Sequence, residues 1–323
     1  MLKFILKRLL IAAMLLVAMS FMTFMLMRLT PGNYLDTMRM DPQISKDTLA
    51  HYEKLYQLDK PAPVQYAHWL VNLCKGDLGY SFYFNVPVSR VIGSRLWNTF
   101  VLSLSAFLVT WLIAIPLGTW AALRRGSRGE KAVQFGSYAL LSIPSFFVAM
   151  ILLFWASKSG WLPLGGMQAA NYDELGFAGK SLDLLRHLVI PTLALSLGSI
   201  AALQRLMRGN MLEVLGKQYI TAARAKGLPE NRVIYVHALR NAINPLITLL
   251  GYEFSGLLSG AALIEIVTSW PGLGALMLTA VRAKDIYLVM ASMMMGGVLF
   301  VIGNLLADIA LAKTDPRIRY DGK

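Results

Sequence analysis

Apolar positions in this chain are gathered into long blocks rather than alternating with polar ones. Leu9–Met27 runs 19 residues without a charged side chain, Leu96–Leu123 runs 28, Ala132–Ser157 runs 26 and Ile286–Ala307 runs 22. His187–Gln204 adds 18 residues with a single histidine. From Asn241 to Val281 the only charged side chains are Glu253 and Glu265. A helix of roughly 20 apolar residues crosses a bilayer, and backbone polar groups in lipid must be bonded within the segment. The pattern therefore predicts six transmembrane helices, near 9–28, 99–123, 133–156, 187–208, 243–266 and 287–311. The short alternating strands of a β-barrel are not seen. Lys3, Lys7 and Arg8 precede the first block as they would in a signal peptide. That block is longer than an ordinary signal core and no small-x-small cleavage site follows it, so a retained helix is expected.

Two hydrophilic stretches interrupt the blocks. The first runs from Pro31 to about Trp97 and opens on the turn signal Thr30-Pro31-Gly32-Asn33. Ser45 is a candidate N-cap for a helix carrying Leu49, Tyr52, Leu55 and Tyr56. Asp59–Pro63 breaks it, and a second amphipathic segment follows with Tyr66, Trp69, Leu70 and Leu73. Gly76–Phe82 reads as an aromatic turn punctuated by glycine. This stretch reads either as an interfacial cap with Trp and Tyr at headgroup level or as a surface for an external partner.

The second stretch joins the fourth and fifth blocks. Met211, Leu215, Tyr219 and Ala222 fall at i, i+4, i+8 and i+11, which predicts one helix face. The small residues from Thr221 to Ala225 keep the following turn slim. Gly227 sits where a left-handed helix cap is wanted, and Pro229 with Glu230 suits the first turn of a second helix. The motif reads helix, sharp turn, helix, with Arg224 and Lys226 near the C-terminus of the first. An ordinary positively charged cytoplasmic loop would carry the same cations, and on pattern alone both readings stand.

Charge placement sets the orientation. The chain has 323 residues, of which 56% are hydrophobic and 15% charged, against about 25% charged in a soluble domain. The 124–131 turn carries Arg124, Arg125, Arg128 and Lys131 against Glu130. The 205–240 loop carries seven basic residues against Glu213 and Glu230, and the tail after 312 is also basic. Residues 30–98 are balanced, with seven basic and six acidic side chains. Basic loops stay cytoplasmic, so both termini are expected inside. The net charge of +13 is mostly this topology signal; it suits an anionic inner leaflet and gives no reason to invoke nucleic acid. Cys74 is the only cysteine, so neither an intramolecular disulfide nor a cysteine metal spacing is available. The four histidines are scattered, and no nucleophilic or metal constellation stands out.

The run Tyr219-Ile220-Thr221-Ala222-Ala223-Arg224-Ala225-Lys226-Gly227-Leu228, followed by His237-Ala238-Leu239-Arg240-Asn241-Ala242 and Pro245, resembles the EAA loop of ABC importer permeases. It is most similar to the dipeptide/oligopeptide (and nickel) permease family. Thr30-Pro31-Gly32, Gly76–Ser81, Ser269–Gly274 and Asp315–Tyr320 agree with that family in order and spacing. Thr221 stands where the name-giving Glu of the motif would be, and His237 and Leu239-Arg240 replace its usual Ile and Leu-Pro. Peptide-type permeases commonly share these departures.

The resemblance implies an all-α polytopic membrane protein of type I ABC importer permease architecture in a bacterial inner membrane. Its expected parts are a first helix (1–29), an extracytoplasmic region (30–98), a five-helix core (99–311) with a coupling loop (209–241), and a cytoplasmic tail (312–323). The expected partners are a homologous second permease, two cytoplasmic ATPases and an extracytoplasmic substrate-binding protein. ATP and Mg would be used by the ATPases, with no cofactor on this chain. The coupling helix that docks on an ATPase would be carried by Thr221, Ala222, Ala223, Ala225, Lys226 and Gly227. Peptides are the expected cargo, with nickel or another small solute as the alternative and an ATPase-independent transporter or channel as the rival class.

No catalytic residues are expected. Gly179-Lys180-Ser181 imitates the end of a P-loop, but Glu174 occupies the required first glycine position and no strand precedes it. Glu253 lies near the middle of the fifth block, where an ionisable group faces a cavity or a partner. It either lines the pathway, favouring cationic or amine-bearing substrates, or is held by a neighbouring helix. Glu265 and Asp308 are expected to reach headgroups from span ends. Trp270 is expected to anchor a turn at the interface. Gly256 and Gly260 would allow close helix approach, within the chain or to a partner.

Overall fold

The computed structural model describes residues 2–30 and 60–314, with isolated positions between 31 and 59. Its helices are α1 (Leu2–Leu29), α2 (Ala62–Cys74), α3 (Val88–Leu123), α4 (Arg128–Ser142), α5 (Ser145–Ser159) and α6 (Phe177–Leu215). They continue with α7 (Gln218–Ala225), α8 (Glu230–Arg232), α9 (Leu239–Ala242), α10 (Asn244–Val267), α11 (Leu273–Arg282) and α12 (Ile286–Thr314). A two-stranded hairpin, β1 (Tyr80–Ser81) and β2 (Val86–Pro87), precedes α3.

Among the described residues, four helices are long and apolar enough to cross a membrane: Leu6–Leu29 within α1, α3, α6, and Ile286–Leu305 within α12. The stretch expected as one span at 133–156 is instead two helices, α4 and α5, meeting at 105°. Pro144 explains the break, since it lacks an N–H and pushes the preceding residue out of the helical region; Ile143 is extended at φ −103°, ψ 124°. Pro116 and Pro191 lie inside the continuous helices α3 and α6. The block expected at 243–266 is α10, 24 residues long.

The chain forms two compact units. The first comprises 1–99 and 271–299. Pro61 starts α2, whose Tyr66 hydroxyl meets Ser20 Oγ of α1 at 2.9 Å and donates to the Val17 carbonyl at 3.1 Å. Tyr66 also meets Phe21 edge to face, and Trp69 is buried with Phe24, Met290 and Met294. The expected aromatic turn is the hairpin. Gly79 N–H donates to Asp77 Oδ1 at 2.9 Å, and Tyr80 and Ser81 pair with Pro87 and Val86. Of the helix expected from Ser45, the Leu49 N–H reaches the Ser45 carbonyl at 3.1 Å; Tyr52, Leu55 and Tyr56 lie outside the described residues, as does the tail from Asp315.

The second unit comprises 100–270 and 300–323. Its core has one cluster around Leu102, Ala149, Leu195, Leu257 and Trp270, and another around Met207, Met211, Ile220, Val233 and Leu246. Trp270 is fully buried rather than an interface anchor. Glu265 is likewise fully buried and does not reach headgroups. Both follow from the turn after α10, in which the Trp270 N–H folds back onto the Glu265 carbonyl at 2.8 Å. The Asp308 side chain lies outside the description. α3 and α6 approach closely at Gly118, where a methyl group would stand 2.6 Å from the Gln204 carbonyl oxygen and 2.8 Å from Met207 Cβ. Gly118→Ala should therefore destabilise the unit by roughly 1–3 kcal/mol through overpacking. A thermal melt of the purified protein checks this, and an unchanged midpoint would contradict the close approach.

Candidate functional site

The loop between α6 and α10 is built on a buried root. α6 ends where Gly216 and Lys217 donate to the Glu213 and Val214 carbonyls, and Lys217 is extended at φ −74°, ψ 147°. This break changes the helical phase. The single face expected from Met211 to Ala222 does not form: Met211 is buried, whereas Tyr219 and Ala222 are exposed. Instead Ile220 and Ala223, three residues apart on α7, turn into the cluster with Met207, Met211, Val233 and Leu246.

The opposite side of α7 and its cap is uncovered. Thr221, Ala222, Ala225, Lys226 and Gly227 are exposed; Ala223, the sixth residue of the expected set, is only 8% exposed and packs inward. Ala223 is therefore a root residue of the helix and not part of its outer surface. The five others make a slim ridge with little side chain beyond a methyl group except at Thr221 and Lys226.

The cap is set by Gly227 at φ +73°, a left-handed conformation that costs a non-glycine residue roughly 1 kcal/mol. The Gly227 N–H donates to the Arg224 carbonyl at 2.9 Å and the Leu228 N–H to the Ala223 carbonyl at 3.4 Å. These two bonds are the Schellman arrangement, and Leu228 packs against the cluster that contains Ala223. Arg224 then bridges the turn: its Nε and NH2 donate to Glu230 Oε2 at 3.2 Å and Oε1 at 2.7 Å. The bonded guanidinium holds the Glu230 carboxyl below the usual carboxylate range. The strap is thus present above that range and is lost as pH falls through the lowered value. Beyond it, a π-helical turn, Val233–Ala238, keeps Val233, Ile234 and Ala238 against the root. Asn210 of α6 donates to the Ala242 carbonyl at 3.2 Å, closing the base of the loop.

Sequence reasoning missed what holds α6 beneath this loop. Arg208 NH2 pairs with Glu130 Oε1 of α4 at 2.8 Å, with Glu130 only 5% exposed. Ser127 caps α4 by accepting from the Glu130 N–H at 3.2 Å, and the Ser-x-x-Glu pattern that marks such a start was legible. One turn away, Gln204 donates to Ser137 Oγ at 2.8 Å. Asp285 was also missed. It accepts from the Ser81 hydroxyl at 2.6 Å, the Tyr83 N–H at 3.0 Å and the Leu288 N–H at 3.2 Å. An Asp directly before an apolar block is an N-cap signal, but nothing local points to Ser81.

Glu253 is half-buried on α10, with the Ser199 side chain of α6 as hydrogen-bond partner. Next to it, Phe254 meets Phe100 and Phe107 edge to face at 6.1 and 5.8 Å. The P-loop lookalike Gly179–Ser181 lies in the first turns of α6, after the short 3-10 turn Tyr172–Glu174, with the Lys180 ammonium 5.1 Å from the Tyr172 ring.

Comparison with known proteins covers nearly the whole chain. Residues 114–320 match the family described as binding-protein-dependent transport system inner membrane component, and residues 1–104 match its N-terminal counterpart. The oligopeptide transport system permease protein AppB of Bacillus subtilis is 38% identical over 98% of this chain and 99% of its own length. A putative peptide permease protein of Brucella ovis is 38% identical over 99% of both. The di/tripeptide transport system permease protein DppB of Pseudomonas aeruginosa is 36% identical, again over 99% of both. With both halves matched in order and relatives aligned from end to end, the chain belongs to the family of inner-membrane components of binding-protein-dependent transport systems, as a multi-pass ABC importer permease.

Proposed function

We propose that this permease carries di- or oligopeptides inward, pairing with a second permease, taking cargo from an extracytoplasmic binding protein and driven by two cytoplasmic ATPases. The reading has six spans with both termini cytoplasmic, and places the 209–241 loop inside the cell. ATP and Mg belong to the ATPases, and this chain is not the hydrolytic subunit. One observation carries the coupling role: the exposed ridge Thr221, Ala222, Ala225, Lys226 and Gly227 lies on a short helix rooted by Ile220 and Ala223 in the core shared with α6 and α10. A partner seated on the ridge would move the roots of two long helices together, which is what a rigid transmission between two packed states requires. Gly256 is exposed on α10, with no atom within 4 Å of an added Cβ, and leaves room for a helix of the second permease. Peptide cargo is supported by the relatives, which are named as oligopeptide and di/tripeptide transport system permeases.

Reconstitution in liposomes tests the reading. Peptide uptake should require this chain, a second permease, the ATPases, ATP and the binding protein together. Uptake by this chain alone would place it among ATPase-independent transporters instead.

Glu253 is the proposed pathway carboxylate for the peptide ammonium group. A charge-assisted hydrogen bond contributes about 1.5–3 kcal/mol, so Glu253→Gln should lower uptake of free-amino peptides at least about tenfold and spare N-acetylated ones. Equal uptake of all substrates by the variant would leave Glu253 as a helix-packing residue bonded to Ser199.

A further inference from the structure

We propose that the turn between α3 and α4 is a binding site for the phosphate headgroup of an anionic phospholipid. Arg124, Arg125, Arg128 and Lys131 are all exposed within eight residues. The acid that would neutralise them, Glu130, is turned inward, paired with Arg208 at 2.8 Å and accepting from the Gly126 N–H at 3.4 Å. None of the four cations has an acidic partner among the described residues. The fold thus removes the local counter-charge and leaves four cations facing outward.

The surroundings choose a lipid over an acidic protein. Arg128, Lys131, Phe135 and Tyr138 fall at i, i+3, i+7 and i+10 on α4, one continuous helix face. Phe135 and Tyr138 are 77% and 55% exposed, so this face passes directly from cations to aromatic rings, Phe135 uncovered and Tyr138 carrying the Arg205 guanidinium 4.2 Å from its centroid. Trp120 is half-exposed at the base of the turn, its ring tip 2.9 Å from where a Cβ on Gly129 would stand. A tryptophan there marks headgroup depth. An anionic phospholipid presents the same sequence of chemistry along its length, a phosphate above acyl chains. A soluble acidic partner would match the cations but leave the Phe135 ring below them uncovered. The site does not depend on which solute the permease carries.

The test uses the assembled transporter in nanodiscs of mixed phosphatidylglycerol and phosphatidylcholine, with photoactivatable analogues of each. Crosslinks are mapped by mass spectrometry to the peptide spanning Trp120–Tyr138. Phosphatidylglycerol should label this peptide in preference to phosphatidylcholine, and added salt should reduce the preference. Arg128→Gln/Lys131→Gln should weaken it about fivefold for each cation removed, while Arg124 and Arg125 preserve the charge bias that orients the chain. Equal labelling by the two lipids in the wild-type complex, a readout that needs no variant, would overturn the site. So would unchanged labelling in the double variant. Loss of an ATPase or permease subunit from the variant with labelling intact would assign the cations to a protein partner instead.

Discussion

Gly227→Asp is expected to leave the permease folded in the membrane while lowering ATP-driven uptake at least about tenfold. The backbone accounts for little of this. Asp enters the left-handed region more readily than most residues, and the space around Gly227 is open, with no atom within 4 Å of an added Cβ. The effect comes from placing an anion on a ridge that offers a docked surface only small groups and the Lys226 ammonium. Gly227→Asn separates the two contributions, because it shares the backbone tolerance without the charge and should retain most activity. Co-purification of the ATPases and uptake are measured for both variants. If the aspartate variant keeps its ATPases and its uptake, α7 is not the docking helix. Acidification is a further check on the same element: the Arg224–Glu230 strap should loosen only well below neutral pH, since the bonded guanidinium lowers the Glu230 carboxyl.

Asp285→Ala should have the largest effect on stability. It strips the acceptor from the Ser81 hydroxyl, the Tyr83 N–H and the Leu288 N–H at once. Ser81 and Leu288 are fully buried, so water does not replace the lost partner freely. Each unsatisfied buried donor costs about 1–3 kcal/mol, and the N-cap of α12 is lost among them. A total near 4 kcal/mol is expected, seen as a lower thermal midpoint and as proteolytic cleavage near Asn85 at the hairpin tip. Asp285→Asn keeps one oxygen and should recover much of the loss. Equal stability of the alanine variant and the wild type would mean the hairpin is held by other contacts, such as the packing of Gly79 on the Tyr287 ring, which would lie 3.1 Å from a Cβ added at Gly79.

Much of this architecture is legible in the chain because its strongest signals are local. α1, α3, α6 and α12 follow from charge-free blocks long enough to span hydrocarbon, where an unbonded backbone is too costly. The Gly227 cap and Pro229 were readable because a left-handed residue and a missing N–H act within one helical turn. The span expected at 133–156 was not legible as two helices, because its apolar run continues across Pro144, where proline with an extended Ile143 divides the segment into α4 and α5. The docking set came from the resemblance to the EAA loop, and a motif matched along the chain does not distinguish the two sides of α7.

The order of the helices, the position of the α6–α10 loop and the glycine that ends its first helix were therefore determined by the sequence alone. Tertiary structure decided the phase. The break at Gly216–Lys217 turned Ile220 and Ala223 inward, leaving Ala222 and Tyr219 outside. It decided that Trp270 and Glu265 are core residues, and it brought together Glu130 with Arg208 and Ser81 with Asp285. Propensity, capping and hydrophobic length are properties of neighbours along the chain, whereas burial and ion pairing depend on which helix faces meet. Those faces are chosen by packing between residues up to 204 positions apart, beyond the reach of any local pattern.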